Sequence, residues 1–257
     1  MIAIRGPEEI ALLRESGRIV AEALDLAERM IRPGVTTGEL DEEIETFIRD
    51  QGGTPEFKGF HGYPASICAS VNEVVVHGIP GRQELREGDI IGVDVGVRKS
   101  GYIGDGARTF PVGEIRHEAR RLMDVTQQAL MNGLAAASDG RHLSDVSNAI
   151  QTTAEANGYS VVRELAGHGV GREMHEPPEV PNYGPPARGP VLKSGMVLAV
   201  EPMINAGGAA VRTLPDGWTV VTADASLSAH FEHSVVVTGD GVDILTLTAA
   251  KREQLKG

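Results

Sequence analysis

The fold is decided by residues 90–110, IIGVDVGVRKSGYIGDGARTF. An apolar run that carries Asp94 leads into a Lys-Ser-Gly turn, and a second run carries Asp105 between two glycines. This pattern predicts strands over 90–97 and 102–110, joined as an antiparallel hairpin. Because such a hairpin can place residues of both strands on one face, we expect the two carboxylates to lie near each other.

Two adjacent carboxylates repel each other and shift each other's pKa unless a proton or a cation lies between them. The alternative is that Asp105 is a turn residue between glycines and that Asp94 caps the end of a strand. Residues 90–110 alone do not decide between a cation site and these two local roles.

Three further potential ligands lie in apolar or glycine-rich surroundings. His168 is flanked by two glycines, Glu201 ends an apolar run just before a proline, and Glu232 lies between Phe231 and His233. A charge in such a segment is costly to bury, and bound metal makes several buried carboxylates tolerable. Four carboxylates and one imidazole, without a thiolate, suit two hard or borderline divalent ions better than one structural zinc. The pattern therefore predicts a two-metal hydrolase.

The competing interpretation is structural. Each acid would then have its own Arg or Lys partner, and residues 164–180 would be a glycine-rich loop with two ordinary histidines, His168 and His175. His77, which precedes a glycine, could be an acid–base group near the metals or a core histidine with satisfied hydrogen bonds.

The rest of the chain repeats one order of elements. A proline followed by two glutamates predicts a helix from residue 7, Thr36 and Glu39 form a capping-box pattern, and Ser144 is the predicted cap of the last helix. Helices are predicted over 7–32, 36–50, 118–137 and 144–157, and further strands over 66–70, 159–163, 196–204, 218–222 and 230–237. Both halves run helix, helix, strands, which predicts one α+β domain over 1–257 with two similar halves, roughly 7–112 and 116–248.

Composition restricts the class of protein. The 257 residues include 24 basic and 36 acidic ones, for a net charge of −12, which argues against nucleic-acid binding through a broad basic surface. The lone Cys68 fits a reducing compartment, and no apolar run approaches the ~20 residues of a membrane helix. The first residues lack the pattern of a signal peptide. We therefore expect a cytoplasmic protein that binds neither DNA nor a membrane.

Other catalytic signatures are missing from the sequence. It contains no G-x-S-x-G elbow, no H-E-x-x-H pair and no Walker-type phosphate loop, and its glycine spacing does not match a dinucleotide fingerprint. These observations argue against the serine hydrolases, zinc-helix peptidases and nucleotide-binding enzymes that carry these signatures.

Five segments in this order resemble the methionine aminopeptidases, specifically the short bacterial type I form. They are GFHGYPASICASVNEVVVHGIP (59–80), the hairpin 90–110, GHGVGREMHEPPEV (167–180), EPMIN (201–205) and DGWTVVTADASLSAHFEHSVVV (216–237). The resemblance spans nearly the whole chain. It implies the two-halved pita-bread α+β fold, without an extra N-terminal metal-binding domain or the long insertion of the type II form.

The resemblance implies removal of the N-terminal methionine when the second residue is small, by a water activated between two divalent ions of Co, Mn, Fe or Zn. One ion is held by Asp94 and Asp105. The other is held by Asp105, His168, Glu201 and Glu232, and the resemblance implies that Asp105 and Glu232 bridge both ions. His77 and His175 are the implied substrate-facing histidines, and Glu201 the implied proton shuttle.

The resemblance also implies an apolar pocket for the methionine side chain. Its implied lining is Phe57, Phe60, Tyr63, Cys68, Met174 and Trp218. An apolar wall with soft sulfur suits methionine. Relatives commonly have Cys where Phe57 stands and an aromatic residue where Met174 stands, which changes the pocket's shape more than its substrate class. A structural role for Phe57, Tyr63 and Trp218 is the alternative.

Further implications concern an additional ion and partners. A sodium or potassium ion would be held by backbone carbonyls of Asn72, Val74 and Ser228. The implied partners are N-terminal Met peptides, nascent chains and the ribosome, and the implied state is a monomer. Three alternatives stay open at this point: an X-Pro aminopeptidase or dipeptidase of the same fold, a binding protein of this fold without activity, and a creatine-type amidinohydrolase of this fold.

Overall fold

The computed structural model describes residues 1–248 and 250–251. In this part of the chain the helices are α1 (Pro7–Met30), α2 (Thr37–Asp50), α3 (His117–Ala135) and α4 (Leu143–Ala156), with a 3₁₀ turn at Phe60–Gly62. The strands are β1 (Thr54–Pro55), β2 (Ile67–Val71), β3 (Val74–Val76), β4 (Ile90–Lys99), β5 (Tyr102–Pro111), β6 (Ser160–Val161), β7 (Ala166–Gly169), β8 (Glu176–Pro181), β9 (Val197–Val200), β10 (Met203–Asn205), β11 (Val211–Thr213), β12 (Val220–Thr222), β13 (Ser228–His230), β14 (His233–Val237) and β15 (Val242–Ile244).

The hairpin β4–β5 organises the first half. Its ladder runs from Ile90 opposite Pro111 to Lys99 opposite Tyr102, and β2 and β1 both pair with β4 in antiparallel fashion. Helix α1 packs on β4 and β5, and α2 packs on β2 and β1. The predicted hairpin is confirmed, and each strand extends slightly beyond its predicted end.

The second half contains a five-stranded sheet in the order β15-β14-β9-β7-β8 and two three-stranded sheets, β13-β10-β6 and β11-β12-β3. Helices α3 and α4 pack on each other, α3 also contacts β9, β10 and β13, and α4 contacts β6 and β8. The order of elements agrees with an α+β protein whose halves are similar. That these halves arose as a repeat, and that 1–257 is one domain, stay predictions.

Two strands predicted as continuous are each interrupted. The segment 196–204 forms β9 and β10, and the segment 230–237 forms β13 and β14. Both pairs keep the same register, with Val200 opposite His233 and Met203 opposite His230. The two segments therefore continue as one hairpin across a break, in which two residues of each segment leave the ladder.

The break contains Glu201, Pro202, Phe231 and Glu232. Proline has no N–H to donate to a ladder, so regular pairing stops on that side, and only the Pro202 carbonyl still accepts from the Phe231 N–H, at 3.4 Å. On the other side the Glu232 N–H donates to the Ala107 carbonyl of β5 at 2.9 Å instead. The break thus places Glu201 and Glu232 between the five-stranded sheet, which contains β9 and β14, and the three-stranded sheet, which contains β10 and β13.

Two buried hydroxyl groups join the halves between β5 and the β13–β14 segment. Ser234 Oγ donates to the Asp105 carbonyl at 2.7 Å and accepts from the Asp105 N–H at 3.1 Å. Thr109 Oγ1 donates to the His230 carbonyl at 2.8 Å and accepts from the His230 N–H at 3.0 Å. We call these four residues the hydroxyl seam. Each hydroxyl satisfies both backbone groups of a residue on the other half, as a neighbouring strand would.

Some local predictions were wrong. The structural alternative of a glycine-rich loop over 164–180 is also wrong, because this segment contains the antiparallel pair β7–β8 joined by residues 170–175. The cap of α4 is His142 rather than Ser144, because the Asp145 carboxylate accepts from the His142 N–H at 3.1 Å while Ser144 Oγ accepts from Arg188 N–H. The capping box of α2 is confirmed.

The remaining differences are at element ends. Helix α1 stops two residues short of its predicted end, and the predicted strands 159–163 and 218–222 shrink to β6 and β12. Strands of two or three residues, such as β1, β3, β11 and β15, carry too little alternation to be found by pattern. Among the described residues, no helix combines the length and the apolar character needed to cross a bilayer.

The contact between α1 and β5 generates a prediction. A Cβ added at Gly104 would lie 2.5 Å from the Gly17 backbone nitrogen. Gly104→Ala must therefore push helix and strand apart, and we expect a loss of about 1–3 kcal/mol of stability, or roughly 3–10 °C in Tm. Thermal unfolding followed by circular dichroism measures it. Gly239→Ala is the matched control, since a Cβ there meets nothing within 4 Å. An equal Tm for both variants would contradict close packing at this contact.

Candidate metal centre and active site

The aspartates share one face of the β4–β5 hairpin. Asp94 is opposite Ala107 and Asp105 is opposite Gly96, so the two carboxylates are diagonal neighbours on one side of the ladder. Asp105 lies in the middle of β5 and is 2 % exposed. The alternative that Asp105 is a turn residue is therefore wrong.

The other ligand candidates reach the same point from the second half. His168 projects from β7, and its Nε2 lies 3.6 Å from Asp105 Oδ2 and 3.4 Å from Glu201 Oε1. Glu201 and Glu232 come from the two sides of the hairpin break. Glycines on both sides of His168 let this strand pack closely, since a Cβ at Gly167 would lie 2.3 Å from the Ala199 carbonyl oxygen.

One cavity of about 120 Å³ collects these groups. Its lining is Phe57, Phe60, Tyr63, Cys68, His77, Asp94, Asp105, His168, Met174, His175, Glu201, Trp218 and Glu232. All residues predicted to bind divalent metal, to act in catalysis or to contact the methionine side chain are in this set. The structure therefore brings together residues from widely separated parts of the sequence.

The acids have no basic partners within the described residues. The ion pairs that involve them are with imidazoles only, and Asp94 Oδ1, Asp105 Oδ1 and Glu232 Oε1 are buried without a hydrogen-bond partner. Burial raises the pKa of Asp94 to about 7. The interpretation in which each acid has its own Arg or Lys partner is therefore wrong.

The same cause acts on the other two orphaned acids. Burial, and next the charge of Asp94, raises the pKa of Asp105 well above its ordinary value. Burial, and next the charge of Asp105, raises the pKa of Glu232 in the same direction. A cluster in which each negative charge disfavours the next is stabilised by a bound cation.

The donor set fits divalent ions. Two groups of side chains have ligand atoms within 4.8 Å of one another: Asp105, His168 and Glu232, and Glu201, His230 and Glu232. Carboxylate oxygens and imidazole nitrogens suit several divalent metals. The buried oxygen atoms without partners are what such an ion would satisfy.

The sequence reasoning missed His230. This residue lies on β13, is 3 % exposed, and faces the acids with its Nε2 3.6 Å from Glu201 Oε2. The available signal was spacing, because His230 precedes Glu232 by two residues and side chains two apart in an extended segment share a face.

The two other predicted histidines border the acids. His77 is half-buried with a φ of 58°, and burial lowers the pKa of its imidazole. His175 lies at the exposed rim, where its ring is 4.3 Å from that of His168 in an edge-to-face arrangement. Partial desolvation of the ring, and next the neighbouring His168, lower the pKa of His175. Both imidazoles are therefore neutral near pH 7 and can donate a hydrogen bond without adding charge.

The apolar wall lies beside the acids. The rings of Tyr63 and Trp218 meet edge to face at 5.1 Å, and Phe57 covers Gly96, where a Cβ would lie 2.6 Å from the phenyl ring. Cys68 is opposite Asp94 in the β2–β4 ladder, and burial raises the pKa of its thiol. The wall thus presents aromatic rings and a neutral thiol next to a charged cluster.

The rim that carries His175 is held by an ion pair that sequence reasoning also missed. Arg5 Nη2 donates to both oxygens of Glu176, at 2.5 and 2.7 Å. The same carboxylate accepts from the N–H groups of Arg172 at 2.8 Å and Glu173 at 3.2 Å. The segment before α1 therefore fixes the turn that leads into His175.

The predicted sodium or potassium site lies apart from this cavity. Asn72 has a φ of 55°, and its carbonyl accepts from the Ser228 N–H at 2.9 Å. Val74 begins β3. Asn72, Val74 and Ser228 do not line the cavity, and their ion-binding role stays a prediction.

Comparison with known proteins adds an independent result. The sequence profile of metallopeptidase family M24 matches residues 11–239. Methionine aminopeptidase 1 of Bacillus subtilis is 52 % identical over 246 residues, which is 96 % of this chain and 99 % of that protein. The relative therefore has nearly the same length as this chain.

Solved structures agree. The structure of the methionine aminopeptidase from Rickettsia prowazekii has a TM-score of 0.95 and 43 % identity, and the match covers 96 % of this chain and all of that one. The prolidase from Pyrococcus furiosus shares only the fold, with a TM-score of 0.79, 23 % identity, and 95 % and 65 % coverage of the two chains. The predicted pita-bread fold is confirmed. The chain belongs to the methionine aminopeptidases of metallopeptidase family M24.

Proposed function

We propose that this protein removes the N-terminal methionine from peptides and nascent proteins whose second residue is small, in a reaction that depends on divalent metal. The observation that carries the proposal is the single cavity in which the acid cluster adjoins an aromatic and sulfur-lined wall. The acids account for metal binding, and the wall for an apolar side chain.

We assign two divalent ions to the cluster. Asp94, Asp105 and Glu232 would hold one, and Asp105, His168, Glu201 and Glu232 would hold the other, so that Asp105 and Glu232 would serve both. The orphaned oxygens of Asp94, Asp105 and Glu232 support this assignment. When bound, Co, Mn, Fe or Zn ions of this kind lower the pKa of a coordinated water and polarise a carbonyl.

Glu201 is placed to move the proton. Its carboxylate adjoins the imidazoles of His168 and His230, and its side chain retains 14 % exposure to the cavity. It takes a proton from the attacking water and delivers it to the amine that leaves from the first peptide bond. Its position after Val200, where the ladder ends, leaves the side chain free to reach both groups.

His77 and His175 act on the substrate's peptide bond. A neutral His175 donates a hydrogen bond to the carbonyl oxygen as this oxygen becomes negative, and His77 contacts the amide nitrogen that will leave. The lowered pKa of each imidazole supports the neutral form. A donor to a developing oxyanion is worth about 10²–10³-fold in rate.

Substrate selection follows from the shape of the cavity. The free α-amino group lies against the acid cluster, which confines cleavage to the first residue. The methionine side chain packs on Phe57, Phe60, Tyr63, Cys68, Met174 and Trp218. Thioether sulfur makes favourable contacts with aromatic rings, and Tyr63 and Trp218 present two ring edges and faces there.

The cellular setting is part of the proposal. We infer a monomer that acts in the cytoplasm on nascent chains at the ribosome, with a sodium or potassium ion on the backbone carbonyls of Asn72, Val74 and Ser228. The buried, unpaired thiol of Cys68 is compatible with a reducing compartment.

The alternatives are not favoured. Prolidase likeness is limited to the fold, and this chain spans less than two thirds of that structure's length. A binding protein without activity would not need an intact set of ligands, and here all five line one cavity with both histidines.

A first prediction concerns the substrate. Metal-free protein reconstituted with Mn²⁺ should release methionine from Met-Ala-Ser and should leave an Ala-Pro-Ser peptide intact, as followed by chromatography of the products. Asp105→Ala should fall to the level of the metal-free protein, because this carboxylate serves both ions. Preferential cleavage of the Xaa-Pro peptide would contradict the proposal.

A second prediction concerns His175. His175→Ala should lower kcat by about 10²–10³-fold with a smaller change in KM, since the lost hydrogen bond strengthens only as the oxyanion forms. His117→Ala is the control, because His117 is exposed at the start of α3. If kcat of His175→Ala equals that of the control, His175 has no role in the chemical step.

A third prediction concerns pH. The pKa of Asp94, Asp105 and Glu232 is raised in the folded state, so the unfolded chain loses these protons at lower pH than the folded one. These three groups therefore favour the folded metal-free protein most below about pH 4. Their contribution to the free energy of unfolding falls as the pH rises to 7 and beyond. Asp105→Asn removes one of the charges, and this variant should be more stable than the wild type at pH 8 without metal.

Urea unfolding of both metal-free proteins at pH 5 and pH 8 measures this effect. Mn²⁺ should restore stability to the wild type at pH 8 more than to Asp105→Asn. An identical dependence on pH in the two proteins would show that the cluster is not strained by its own charge.

A further inference from the structure

His230 is a buried imidazole beside the acid cluster with no role in the family assignment above. Its side chain is 4 % exposed, and its Nε2 is buried without a hydrogen-bond partner. An unsatisfied buried nitrogen is costly and calls for a specific partner. The nearest charged group is Glu201, whose Oε2 lies 3.6 Å from this nitrogen.

The backbone of His230 cannot shift easily. In the hydroxyl seam, Thr109 Oγ1 bonds both its N–H and its carbonyl, at 3.0 and 2.8 Å. On the other edge, His230 pairs with Met203 in the β10–β13 ladder. The imidazole is therefore presented to the cavity from a fixed point.

Glu201, in contrast, is held mainly through its backbone. Its carbonyl accepts from Asn182 Nδ2 at 3.0 Å, while its side chain projects from the break where the ladder is open. The carboxylate lies between two imidazoles, with Oε1 3.4 Å from His168 Nε2 and Oε2 3.6 Å from His230 Nε2. Its orientation is thus set by the two rings.

The two oxygens face different neighbours. His168 Nε2 is close to both Glu201 Oε1 and Asp105 Oδ2, so these three groups would hold a shared ion through Oε1 of the Glu201 carboxylate. His230 lies on the Oε2 side. This arrangement favours a hydrogen bond from His230 to the carboxylate over direct ligation of the same ion.

We propose that His230 is a positioning residue whose Nε2–H donates to Glu201 Oε2 and thereby turns Oε1 toward His168 and the ion. This inference rests on the proposed role of Glu201 as a metal ligand and proton carrier. Closing the distance to a normal hydrogen bond needs a movement of roughly half an ångström. Such outer partners typically raise metal affinity about 10–100-fold.

The test compares substitutions that keep or remove the donor. His230→Gln retains an N–H that can reach the carboxylate, and His230→Leu does not. Titration of metal-free protein with Mn²⁺ in a calorimeter should show affinity weakened about 10–100-fold in His230→Leu, with the number of bound ions unchanged. His230→Gln should stay close to the wild type. With Mn²⁺ saturating, His230→Leu should also lower kcat more than it raises KM, because Glu201 loses its orientation for proton transfer.

His233→Leu is the matched control. This second histidine is half-buried and also next to Glu232, but its Nδ1 lies 2.8 Å from Thr246 Oγ1, and His233 does not line the cavity. We expect a lower Tm and an unchanged Mn²⁺ affinity. If His230→Leu does not fold, His230→Ala, which removes the donor without adding bulk, carries the same expectation.

Wild-type Mn²⁺ affinity in His230→Leu or His230→Ala would overturn the inference. Loss of one bound ion in both the Gln and the Leu variant would also overturn it, because His230 would then be a ligand itself. The peptidase proposal fails separately, if the wild type binds Mn²⁺ but releases no methionine from Met-Ala-Ser. Failure of the wild type to bind Mn²⁺ would overturn both.

Discussion

The arrangement of this protein depends on four carboxylates that meet in one cavity without an Arg or Lys partner among the described residues. Asp94, Asp105 and Glu232 each have a buried oxygen that nothing in the described chain satisfies. Burial and mutual repulsion make this cluster unfavourable on its own. The surrounding fold must therefore hold the acids in place by other means, and metal must supply the compensation that the chain lacks.

Hydrogen bonds of the backbone around the acids, rather than contacts to their carboxylates, hold these residues in place. The β4–β5 ladder fixes Asp94 and Asp105, Ser234 bonds both backbone groups of Asp105, and Glu232 donates its N–H to Ala107. Because these bonds use the main chain, the carboxylates stay available for ions. A neutral hydroxyl at the junction of the halves also avoids a basic residue that would compete with metal.

Sequence predicted the parts that local pattern encodes. Alternation and a glycine turn indicated the β4–β5 hairpin, and an apolar run ending before a proline indicated Glu201 as a buried acid. Three features lay beyond it: the break at Glu201 and Glu232, the β7–β8 pair and the place of His230. The break and the place of His230 depend on hydrogen bonds between residues far apart in sequence, such as Thr109 with His230, which no local periodicity records. The β7–β8 pair is local, but its glycines and prolines hide the alternation that is typical of strands.

The ion pair between Arg5 and Glu176 has a consequence for the integrity of the enzyme. Glu176 follows His175 directly and also receives two N–H groups of the preceding turn, so its guanidinium partner helps to shape the cavity rim. A protease that clipped the first five residues would remove that partner while leaving every acid of the cluster in the chain. Such trimming would remove support for His175 at the cavity rim, although all five predicted metal-binding side chains would remain in the chain.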